Sequence, residues 1–165
     1  MKPINMENHK QLAVKSVLDS WIAKIKAANE LFDSLTDEQL QKEVAPNKNR
    51  GIYLLGHLTA VHDEMLPILG FGPQQYKSLN DAFLHIPDKT VKDLPAISDL
   101  RTYWKNTNAK LEAHLRKLTP DEWFHKHTSI SAEDFAKEPH RNRLNVMLNR
   151  TTHLTYHVGQ LALLK

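Results

Sequence analysis

The stretch "LNRTTHLTYHVGQLALLK", residues 148–165, decides how the chain is read. Leu144, Met147, Leu148, Thr151, Leu154, Val158, Leu161 and Ala162 recur at the steps of one helix face. The spacing predicts a helix over 140–164. His153 and His157 stand four apart within it. At 3.6 residues per turn they differ by about 40° around the axis and about 6 Å along it, so their side chains lie one above the other. A zinc-peptidase helix would carry glutamate directly after the first histidine, and here Leu154 stands there. The pair is therefore either part of another metal site, which needs a further ligand, or two partly buried imidazoles satisfied by hydrogen bonds. Gly159 costs this helix about 1 kcal/mol against alanine, which predicts a close approach by a helix or ligand.

Three further long helices are expected upstream. Residues 6–35 place Leu12, Val17, Trp21, Ile25, Ala28 and Phe32 near one face. Thr36 and Asp37 offer caps for a short helix, "DEQLQKEV". A second long helix is read over 52–66, capped by Asn47 or Asn49 and ended by Pro67, Gly70 and Gly72. Residues 70–97 read as a proline-bearing connection with a short helix near 79–84; connections of that length are often functional. Ser98 caps a third long helix over 99–118. "TPDEW" (119–123) opens a short helix or turn with a capping box, and 125–139 reads as irregular. Four long amphipathic helices without a convincing strand predict an all-α four-helix bundle, with a long crossover between its second and third helices. The whole of 1–165 is read as one domain.

Bulk properties narrow the function. The chain has 165 residues, a net charge of +3 and no cysteine. A metal site must therefore use His, Asp or Glu, and any thiol must come from outside. The small positive excess does not point to nucleic acid. "KEPHRNR" (137–143), the one basic cluster, reads as solvated surface at the start of the last helix. The start, "MKPINMENHKQLAV", lacks a leader's apolar run, and no stretch has the length of a membrane span. A cytoplasmic protein with neither nucleic acid nor membrane as partner is expected.

Ten histidines invite chance pairings. His9, His85, His125, His127 and His140 read as loop, surface or helix-end residues, and His114 as structural. On the second helix His57 is flanked by Leu54, Leu58 and Val61, so burying it requires a partner. Gly56 beside it lets a neighbour come close. His62, about 140° further around, cannot easily share an ion with His57 and reads as an exposed or rim residue. Glu64, two turns beyond His57, is a candidate base, supporting group or fourth ligand, or a solvated carboxylate. Gln160 lies on the His153–His157 stripe and can orient a ligand. Tyr53, four residues before His57, can line a pocket for a cofactor.

"LLGHLTAVHDEMLPILG" (54–70), followed by "LNRTTHLTYHVGQLALLK", resembles the DinB/YfiT-like superfamily of bacterial proteins over essentially the whole chain. The family pattern pairs a histidine in the second helix with H-x-x-x-H-x-G-Q in the last, here His57, His153, His157, Gly159 and Gln160. The resemblance implies that these three histidines bind a divalent metal such as zinc or nickel. It also implies a small-molecule substrate, in some members an external low-molecular-weight thiol, and for some members a homodimer. Three functions stay open: a thiol-dependent S-transferase acting on small electrophiles, a metal-dependent hydrolase, and a non-enzymatic stress or binding protein stapled by metal. A fourth position closed by Glu64 would favour the last.

Overall fold

The computed structural model describes residues 6–165. The first five residues of the start read for a leader lie outside the described residues. The helices are α1 (Met6–Ser34), α2 (Asp37–Leu40), α3 (Gly51–Ile68), α4 (Ile97–Leu115), α5 (Ala132–Lys137) and α6 (Arg143–Leu161). A π-helical turn at Asp81–His85 and 3-10 turns at Asp121–Phe124 and Ala162–Leu164 complete them. Among the described residues there is no strand, only isolated bridges at Glu43–Arg50 and Lys126–Asn142. The protein is all-α, as the periodicity predicts. α1 packs on α4 and α6, and α3 packs on the same two helices.

The core explains this arrangement. α1 buries Val14, Trp21, Ile25, Ala28, Leu31 and Phe32. Leu12, expected on that face, is 55% exposed, because the buried stripe runs from Val14 instead. Leu148 likewise leaves the expected stripe of α6 and is 48% exposed. α3 differs in kind: Leu54, Leu55, Gly56, Leu58, Thr59, Ala60, Val61, His62, Asp63, Met65 and Leu66 are all buried. A helix apolar almost all round belongs in the middle of a domain.

Several boundaries move for identifiable reasons. α2 keeps the expected Thr36 cap, whose hydroxyl accepts from Gln39 N at 3.1 Å while Gln39 Oε1 accepts from Thr36 N at 2.8 Å. α3 begins after Arg50, not after Asn47 or Asn49, because the backbone of Arg50 is held by Asp88. Pro67 does not end α3 but sits inside its last turn, where Leu69 N and Gly70 N still bond Met65 O and Pro67 O at 2.8 and 3.1 Å. α4 starts after Ala96 without a side-chain cap, so Ser98 lies inside it. α6 starts after Asn142, whose Oδ1 accepts from Asn145 N at 2.9 Å. The segment read as irregular contains α5, capped by the Ser131 hydroxyl on Asp134 N.

The connection from α3 to α4 is tied back onto α3 along its length. The buried Asp63 carboxylate accepts from Gln75 N at 2.9 Å and Tyr76 N at 2.8 Å. Tyr53 donates to Ile86 O at 3.0 Å. Arg50 and Asp88 form an ion pair at 2.7 Å, with Asp88 nearly inaccessible. Between these ties the Phe83 ring lies on Gly56, where an added Cβ would come within 2.2 Å of a ring carbon. Gly56 is therefore the glycine on which close approach depends. Gly159 is not: nothing lies within 4 Å of where its Cβ would be, because that side of α6 faces open space.

Candidate metal centre

His57 on α3 meets His153 and His157 on α6. The three residues offer ligand atoms that all lie within 4.8 Å of one another. The Nε2 of His153 is 3.2 Å from that of His57 and 3.0 Å from that of His157. All three residues are partly buried.

Two of the rings are held from behind. The Nδ1 of His57 lies 2.9 Å from Phe83 O. A carbonyl oxygen only accepts, so His57 donates through Nδ1–H and its neutral ring turns a lone pair inward at Nε2. The Nδ1 of His157 lies 2.7 Å from Gln160 Oε1, with the same consequence. Gln160 also donates to Tyr156 Oη at 3.3 Å, which orients its amide. His153 carries a buried Nδ1 with no partner among the described residues. One proton on its Nε2 can bridge to one neighbour at a time, and the remaining inward lone pair then has no hydrogen to face.

The electrostatics keep these rings neutral. Burial lowers the pKa of His57, with the Arg150 charge adding to it. Burial also lowers that of His157. His153 falls to about 4, through burial first and then through the His157, His57 and Arg150 charges. Neutral imidazoles are the form that ligates metal.

The geometry fits a small divalent ion. Two ligands at zinc–nitrogen distances of 2.0–2.1 Å and a tetrahedral angle are separated by about 3.4 Å. The separations of 3.0 and 3.2 Å lie close to this. A protein oxygen behind each of two rings is the second layer usual in histidine metal sites.

The other named residues lie as follows. Glu64 accepts from Asn80 Nδ2 at 3.2 Å and is not among the clustered ligand groups. Tyr53 stacks near-parallel with His57 at a ring separation of 6.3 Å, its hydroxyl turned to the α3–α4 connection. His114 stacks on Phe71, and His9 is exposed. His62 corrects the expectation of a rim residue: it is fully buried. Its ring lies between Trp21 and Trp104, at 4.8 and 4.9 Å. Its Nδ1 is 2.8 Å from Asn108 Oδ1. The Phe83 carbonyl was not foreseen as a partner of His57, although Gly56 is the signal that something packs there.

A family model described as the DinB superfamily matches residues 22–161. Among curated proteins no match to the chain is found. No helix among the described residues is long and apolar enough to cross a membrane.

Proposed function

The chain belongs to the DinB superfamily, and from that premise we propose that His57, His153 and His157 hold one divalent ion, zinc or nickel, at the centre of a metal-dependent enzyme. The observation that carries this reading is the convergence of three neutral imidazoles with two Nδ1 atoms already engaged by oxygens. An ion held by three imidazoles keeps an open position and its charge, and supplies the acidity that deprotonates water or a thiol at neutral pH.

The reaction proposed is S-transfer from an external low-molecular-weight thiol to a small electrophile. The chain has no cysteine of its own. His57 is fixed by Phe83 O and His157 by Gln160, so the pair holds its orientation when a substrate arrives. Glu64 is engaged by Asn80, which supports an open rather than a protein-closed fourth position. That weighs against a purely stapling metal. Hydrolysis by the same centre is the alternative reading.

Metal content of the purified protein tests the site, with His57→Ala and His153→Ala as controls. One divalent ion per chain is expected in the wild type and a large loss in both variants. Absence of stoichiometric metal, with affinity unchanged in the variants, would sink the reading. The reaction is tested by incubating metal-loaded protein with a panel of thiols and monochlorobimane. A rate no higher than that of the metal-free protein counts against the transferase.

A further inference from the structure

Arg150 lies on the same side of α6 as the two histidines. It precedes His157 by seven residues, about 20° around the axis, and His153 by three residues, about 4.5 Å along it. The Arg150 charge adds to the lowering of the His57, His62 and His153 pKa values. It is partly buried, yet it makes no hydrogen bond and no ion pair among the described residues. Its guanidinium has no counter-charge among the described residues and is free to pair with an anionic ligand.

The space beside it is built for such a ligand. Arg150 borders a cavity of about 240 Å³ with Ile68, His127, Ser129, Val146 and Asn149. Ile68, from the last turn of α3, and Val146, one turn before Arg150, give the cavity apolar contacts. His127, Ser129 and Asn149 bring groups able to donate hydrogen bonds. His127 in particular has a buried Nδ1 with no partner among the described residues. A guanidinium ringed by neutral donors selects a planar or tetrahedral oxyanion, and no carboxylate borders the cavity to repel one.

We infer that Arg150, with His127, Ser129 and Asn149, forms an oxyanion subsite that anchors a carboxylate or phosphate group of the molecule brought to the three imidazoles. The clause about the imidazoles rests on the metal reading above; the anion subsite itself does not. The anchored group sits one to two helical turns from His153 and His157, which suits a small substrate whose reacting end is a few bonds from its charge.

The test separates the two readings. Metal-free, full-length protein is titrated with sodium phosphate and, in a second arm, with sodium acetate. Backbone amide resonances of 127–129 and 146–150 are followed by NMR. A saturable shift is expected in at least one arm, and the arm that saturates first names the group. Binding should weaken about tenfold in Arg150→Gln and by less in Arg150→Lys, which keeps the charge but loses the planar fork. It should be unchanged in Arg116→Gln, which alters an arginine paired to Glu112 elsewhere on the surface. No saturable shift in either arm, or one that survives Arg150→Gln intact, overturns the subsite. Anion binding without metal uptake removes the metal reading and leaves the subsite; metal uptake without anion binding does the reverse.

Discussion

Two histidines of α3, His57 and His62, are five residues apart and have opposite surroundings. Each engages an oxygen through Nδ1, Phe83 O at 2.9 Å and Asn108 Oδ1 at 2.8 Å. In each the remaining nitrogen decides the role. The Nε2 of His57 meets two other imidazoles from α6. The Nε2 of His62 is buried with no partner among the described residues, in a ring flanked by two tryptophans. About 140° of helix rotation turns the same side chain from a candidate ligand into a packing element. What an imidazole does is set by the helix it faces, not by the helix that carries it.

The sharpest way to break this contrast is to remove one ring of the cluster. His153→Ala should lower divalent-metal affinity by roughly three orders of magnitude, measured by competition with a chelating dye. Its effect on the stability of the metal-free protein should be small. His62→Ala should behave in the opposite manner. It should cost about 3 kcal/mol in denaturant unfolding, through lost packing between Trp21 and Trp104 and an unpaired Asn108, with metal affinity preserved. If His62→Ala removed the metal and spared stability, the two regions would have been assigned the wrong way round.

Acid should separate them next. Burial lowers the His62 pKa to about 3, below the ordinary 6.5. A histidine with a depressed folded pKa lets the unfolded chain bind more protons, so its contribution is complete above pH 6.5 and is lost as pH falls towards 3. Metal-free wild type should therefore lose about 2 kcal/mol more between pH 7 and pH 5 than His62→Gln, which keeps a donor for Asn108 and does not titrate. Equal losses would show that His62 is not held neutral by its surroundings.

The layer behind the cluster comes next in size. Gln160→Ala frees the Nδ1 of His157 and should weaken metal binding by about 10–100-fold without unfolding the protein. The smallest effect is expected at a glycine. Gly159→Ala should stabilise α6 by about 0.5–1 kcal/mol, since open space lies where the methyl group would go. Gly56→Ala should destabilise by about 1–3 kcal/mol, because the Phe83 ring must move. Thermal unfolding of the two variants measures both signs together.

The same contrast shows where the sequence was legible. α1, α4 and α6 have one apolar face each, and periodicity finds them to within a few residues. The histidine cluster was legible through spacing on α6 joined to a family pattern. His62 was not, because α3 is buried on nearly every side and no single stripe separates inside from outside. The useful signal was the run from Ile52 to Val61, which holds no charged residue. Polar groups that follow so closely belong to the interior and must find partners there. Asp63 is the clearest case: its partners are backbone amides of Gln75 and Tyr76, which carry no side-chain signature.

The Phe83–His57 contact joins two things usually considered apart. The connection between α3 and α4 supplies the carbonyl that fixes the tautomer of a candidate ligand 26 residues away in sequence. Local opening of that segment and loss of a correctly protonated ligand are then a single event. Metal occupancy should slow amide hydrogen exchange across 75–86, far more than at the exposed turns of α1, and the difference would report site occupancy from a segment that contributes no ligand.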